Sequence, residues 1–131
     1  MIGQSFTFIL LLTVISSTYS EKKDMNSDLA RFDHICKASL KAIKEGYFDL
    51  RINERAECRE KAVPENIMTA LTKCEATLPM DSQQAVKDAC ANEAENAPKW
   101  AQVWDCKEKA FGKNYDAMLA YALCTLNQGA R

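Results

Sequence analysis

Six cysteines, one histidine and two pairs of carboxylates are the residues of this chain whose chemistry could define a function. The cysteines are Cys36, Cys58, Cys74, Cys90, Cys106 and Cys124. Metal binding would need CxxC pairs or a Cys–His cluster, and neither occurs. His34 is the only imidazole. Its neighbour Asp33 cannot orient it for base catalysis, because adjacent residues on a helix do not face each other. A secreted phospholipase would show paired cysteines followed by a His-Asp pair, but here Asp33 precedes His34. The carboxylates Glu54/Glu57 and Glu93/Glu95 lie among basic residues, Arg51, Arg55, Arg59 and Lys61 around the first pair, which is the composition of a solvated helix face. The four glycines, Gly3, Gly46, Gly112 and Gly129, form no phosphate-binding loop. No Asn-x-Ser/Thr sequon is present. These residues offer no catalytic constellation and no cofactor motif, so the expectation is a protein that is not an enzyme.

The cysteines therefore point to structure. Residues 2–20 carry no charged side chain, and Phe6 to Ile15 (FTFILLLTVI) is apolar apart from two threonines. Small residues at Thr18 and Ser20 precede the charged start Glu21-Lys22-Lys23-Asp24. This is the pattern of a secretory signal peptide over residues 1–20, leaving a mature domain over 21–131. A run of about ten apolar residues is too short for a membrane span, which needs roughly 20, and no later stretch approaches that length. The expected location is extracellular, where an even cysteine count reads as three disulfides. Six cysteines allow 15 pairings, and the sequence does not choose among them.

The charges, 17 basic and 18 acidic for a net charge of −1, are evenly mixed. Nucleic acid and anionic membranes both want a basic face, so neither is an expected partner.

The elements that must position the cysteines follow from spacing. The cysteines stand 22, 16, 16, 16 and 18 residues apart, one per helix. Asn26-Ser27-Asp28 can cap a first helix ending at Gly46, whose stripe Leu29, Phe32, Cys36, Leu40, Ile43 and Tyr47 steps by three and four. A polar second helix carries Cys58 and ends before Pro64, which suits the first position of a third helix. That helix presents Ile67, Leu71, Cys74 and Leu78 and stops at Pro79. Asp81 to Gln84 reads as a capping box, with Asp81 as cap and Gln84 reaching back. A fourth helix to about Glu95 places Val86, Cys90 and Ala94 on one side. Asn96-Ala97-Pro98 opens a fifth helix, carrying Trp100, Val103, Trp104, Cys106, Ala110 and Phe111 and stopping at Gly112. The sixth starts near Asn114, and its apolar stretch Met118 to Leu126 marks it as the most enclosed. Residues Asn127 to Arg131 are expected to fray. Ala, Glu, Lys and Leu dominate, and no Val/Ile/Thr-rich strand follows the leader. The fold class is all-α: a compact bundle of five to six short helices stapled by three core disulfides.

Phe32, Met68, Trp100, Trp104, Phe111, Met118 and Tyr121 fall on or near the apolar stripes. Such residues fill a core or line a cavity between helices. Trp100, Trp104, Met118 and Tyr121, on the aromatic-rich fifth and apolar sixth helices, are the candidate ligand-binding residues.

A secreted helical chain of this length with six cysteines resembles the arthropod odorant-binding-like proteins. It is also similar to the tick microplusin-type antimicrobial proteins and to some venom components. The leading expectation is a non-enzymatic extracellular protein that binds a small apolar ligand between its helices; the alternative is a secreted venom, salivary or defence effector acting through surface contacts with a target protein or membrane. Two features depart from these families. Odorant-binding proteins place their second and third cysteines three residues apart, while Cys58 and Cys74 are separated by fifteen, and the histidine-rich ends with which the microplusin type binds copper are absent.

The oxidised chain is expected to weigh about 6 Da less than its fully reduced form, six hydrogens being lost to three bridges, and to give a helical circular dichroism spectrum. A free thiol or a strand-dominated spectrum would contradict this reading.

Overall fold

The computed structural model describes residues 27–129. The leader expected over residues 1–20 lies outside them. Six helices follow in order: α1 (27–45), α2 (Phe48–Ala62), α3 (Glu65–Glu75), α4 (Gln83–Cys90), α5 (Glu93–Phe111) and α6 (Tyr115–Gly129), with no strand among the described residues. The fold is the all-α bundle that the spacing implies, with one cysteine on each helix.

Local chemistry explains the boundaries. At the end of α1, Gly46 adopts φ 83°, and two backbone bonds close the turn, Gly46 N–H to the Ile43 carbonyl at 3.3 Å and Tyr47 N–H to the Ala42 carbonyl at 3.0 Å. This is a Schellman ending, which needs a residue without a Cβ penalty at the left-handed position. Pro64 is extended and precedes α3 by one residue, its carbonyl accepting the Met68 N–H at 2.9 Å. It thus caps the helix rather than beginning it. Asn114 caps α6 through its side-chain oxygen, which accepts the Ala117 N–H at 3.1 Å.

Other boundaries also differ from the sequence expectation, and α3 ends at Glu75, short of the stop expected at Pro79. The cap of α4 is Ser82, whose hydroxyl accepts the Ala85 N–H at 3.1 Å. Gln84 does not reach back but donates forward to Asp88 at 2.8 Å. Helix α4 ends at Cys90 rather than near Glu95, and α5 starts at Glu93. Asn96 makes this early start possible by donating its side-chain amide to the Ala89 carbonyl at 2.8 Å, which satisfies one of the last carbonyls of α4. Pro98 consequently lies inside α5. Its missing N–H leaves the Ala94 carbonyl without a helical partner, a loss reduced because Ala94 and Pro98 both face solvent.

The disulfides join α1 to α4 (Cys36–Cys90), α2 to α6 (Cys58–Cys124) and α3 to α5 (Cys74–Cys106), with Cα atoms 5.6, 5.7 and 5.6 Å apart. Each bridge has one end in the core, at Cys36, Cys58 and Cys74. The other ends lie nearer the surface, and Cys106 is exposed. The expectation of bridges wholly inside the core therefore holds for half of each. Around them, Phe32, Cys36, Ala89 and Ala97 form one buried cluster, Val63, Ile67, Leu71 and Ala117 a second, and Ala42, Phe48 and Val86 a third. Met80 and Cys90 pack against both the first and the third.

Helix α6 is the principal correction. It is an outer helix rather than the most enclosed one: Ala117 is buried, but Tyr115, Leu119, Leu123 and Leu126 are 68%, 59%, 51% and 69% exposed. Composition could not distinguish an apolar helix surrounded by neighbours from one packed on a single side. The helix runs through Gly129, with Arg51 of α2 donating to the Gln128 carbonyl at 3.2 Å, and the last two residues of the end expected to fray lie outside the described residues.

The core is small, so the cross-links carry much of the stability. Bridges closing sequence separations of 54, 66 and 32 residues each contribute roughly 3–5 kcal/mol in the chain-entropy view, against the roughly 5–15 kcal/mol of a typical domain. Reduction is expected to abolish the cooperative thermal transition followed at 222 nm. Equal melting of reduced and oxidised protein would show the bridges to be peripheral.

Candidate functional site

The four residues singled out from the sequence do not share one space. Trp100 packs on the cluster around Phe32, at a ring distance of 6.1 Å from Phe32 itself, whereas Tyr121 packs on the cluster around Leu71. Met118 is half-buried on α6. Trp104, expected on a buried stripe, is 50% exposed. Three of the four are nevertheless connected, along the surface.

Arg31 of α1 lies over the Trp100 ring, 5.6 Å from its centre. Trp100 meets Trp104 edge to face, with ring centres 6.0 Å apart and an interplanar angle of 71°. Lys107, one turn further along α5, lies 5.8 Å from the Trp104 ring. Its ammonium is 4.0 Å from Glu75 of α3, and Glu75 in turn pairs with Arg59 of α2 at 2.5 Å. Arg59 completes the band over Tyr121 of α6, 5.9 Å from the ring centre. Each of the three rings has a cation within 6 Å of its centre, placed toward the negative face of the π-system. The Cys74–Cys106 bridge fixes the middle, since Glu75 and Lys107 are the residues that follow its two cysteines.

Glu75 is the single carboxylate among several cations. Burial works against the charge of Arg59, but Glu75 and Tyr121 outweigh it and hold the guanidinium above its ordinary value. The result for Lys107 is opposite. Burial pushes its ammonium below the ordinary lysine value, Glu75 opposes that effect, and Arg59 and Arg55 add to it. The Arg59–Glu75 contact is close but incompletely satisfied, with Arg59 Nε and Glu75 Oε1 buried without a hydrogen-bond partner.

The remaining candidates are dispersed. His34 is exposed. Glu54 pairs with Arg51 at 3.2 Å, as a solvated helix face would. Glu93 faces Asp33 across α1 and α5 rather than Glu95. Lys37, 2.8 Å from Asp33, holds that carboxyl below its ordinary value together with Glu93, while burial and then Asp33 raise Glu93. Among the described residues, no group of three or more His, Cys, Asp or Glu could hold a metal ion, and no helix is long and apolar enough to cross a membrane.

Arg31, Arg59, Glu75 and Lys107 were not singled out by sequence reasoning. The Trp104–Lys107 pair had a signal in its three-residue spacing on one helix. The Arg59–Glu75 and Arg31–Trp100 contacts depend on how α2 lies against α3 and α1 against α5, which no local spacing states. No protein-family model matches the chain, and no curated protein or solved structure does.

Replacing Glu75 by Ala leaves Arg59 and Lys107 without their shared anion. The expected cost is about 1–3 kcal/mol, read by thermal unfolding, with a further fall in the Lys107 pKa, read by NMR titration of its ε-methylene. Because that pKa is already depressed in the folded state, the unfolded chain binds this proton more tightly. The Lys107 contribution to stability therefore rises with pH just below the ordinary lysine value of 10.5. A Glu75→Ala protein as stable as wild type, with an unchanged Lys107 titration, would show the band to be incidental.

Proposed function

We propose that this chain is a secreted, non-enzymatic binding protein that acts through its surface, using the band from Arg31 to Tyr121 to engage an extracellular target protein. The observation that supports this most is Trp104, half exposed and held between Trp100 and Lys107. Tryptophan, tyrosine and arginine are the residues enriched in binding hot spots, where a rigid ring enters a partner's pocket and a guanidinium meets its carboxylates. At the centre of the band Arg59 and Lys107 share the Glu75 carboxylate, so the fitting partner presents acidic residues around an apolar recess. Three intramolecular disulfides fit an extracellular setting.

A carrier of a small apolar ligand draws on the same residues, but it needs Trp100, Trp104, Met118 and Tyr121 around one enclosed space. Their division between two clusters favours the surface reading.

Two measurements separate the readings. Screened against a panel of extracellular ectodomains, the wild-type protein is expected to retain a partner whose affinity falls by about 30-fold or more in Trp104→Ala, the scale of a hot-spot truncation, with the melting temperature unchanged. A naphthylamine probe is expected to show no saturable binding. Saturable one-to-one probe binding that Trp104→Ala abolishes would restore the small-ligand carrier.

A further inference from the structure

We infer that the outer side of α6 is a self-association surface, on which a second copy of this chain packs its own α6 in antiparallel orientation. The inference is independent of the band described above, since it rests on other side chains. Tyr115, Leu119, Ala122 and Leu126 follow one another at intervals of four, three and four residues, the spacing of a seam between paired helices. All four are exposed, and Leu123 widens the stripe. Ala117 and Cys124 lie on the opposite side of the helix. There, the buried alanine and the Cys58–Cys124 bridge fasten α6 to its own molecule. The helix is thus anchored by one side and presents a leucine seam on the other.

Size and charge both favour a second copy. Against the roughly 300–600 Å² of a typical monomer's largest apolar patch, one that is often functional, Tyr115, Leu119, Leu123 and Leu126 together expose on the order of 500 Å² of side-chain surface. That is over half of the about 800 Å² each partner contributes to a standard interface. Asp116 is the only charged residue between Tyr115 and Gly129. A two-fold pairing of this side with itself therefore opposes almost no like charges. Antiparallel packing keeps the two Asp116 side chains at opposite ends and sets the helix dipoles against each other, whereas parallel packing would place the two carboxylates together. A lipid surface is the poorer occupant: α6 has no lysine or arginine, which an interfacial helix carries on its polar side. A small apolar ligand needs a concavity, and these leucines stand on the outside of a helix.

Sedimentation velocity of the secreted chain from about 1 to about 100 µM, a range in which modest interfaces dissociate, is expected to show a monomer–dimer equilibrium. The double substitution Leu119→Lys with Leu126→Lys places charges in the seam and is expected to weaken the dimer at least about 100-fold. Both positions face water in the monomer, so helicity and the near-ultraviolet spectrum are expected to stay unchanged. A wild-type chain that remains monomeric at the highest concentration would overturn the inference. A dimer that survives the double substitution would place the interface elsewhere. A monomeric wild type that cosediments with phosphatidylcholine vesicles, and loses this through Leu119→Lys, would assign the surface to lipid instead.

Discussion

A cysteine in the middle of a helix can reach another only if the two helices lie face to face, and in this chain every helix carries one. The three bridges therefore do more than restrict the unfolded chain: they set which sides of the helices are inward. Cys36–Cys90 turns Phe32 toward Ala89 and Ala97, and Cys58–Cys124 lays α6 along α2. Cys74–Cys106 aligns α3 with α5, so that Glu75 and Lys107 emerge side by side. The buried side chains between them are few, and several are alanines or the cysteines themselves. A core of that size holds six short helices in register only because the covalent contacts remove the alternatives.

This division of labour determines what the sequence could reveal. Helix number, the end of α1 at Gly46 and the start of α6 at Asn114 were legible, because spacing and end residues act within a few positions of the chain. The boundary between α4 and α5 was not. Pro98 is a strong local signal for a helix start, yet the Asn96 bond to the Ala89 carbonyl moved that start back to Glu93. Burial was legible for Phe32 and Leu71, on stripes with polar residues opposite, and illegible for α6, whose apolar residues point in every direction. The band failed to appear for another reason. Its cations and rings come from four different helices and its carboxylate from a fifth, so it exists only once the helices have packed.

Two kinds of surface result, differing in physical character. The band across Trp100, Trp104 and Lys107 is polarised, with each aromatic face next to a fixed charge, so orientation and ionic strength govern what it engages. The outer side of α6 is nearly chargeless and depends on shape and the exclusion of water. A molecule with both can make one contact that is selective by charge and another that is insensitive to salt.

The order of the bridges also decides what a cut in the backbone does. The three links overlap along the chain: Cys36–Cys90 and Cys58–Cys124 cross each other, and Cys74–Cys106 begins within the first and ends within the second. Every peptide bond between Cys36 and Cys124 is thereby enclosed by at least one link. A protease that nicks the turn at Gly46, or the segment between α3 and α4, leaves both pieces in one covalent molecule, with the helices still held against their partners. Digestion then requires several cuts or a reductant, and a chain so threaded outlasts a single scission.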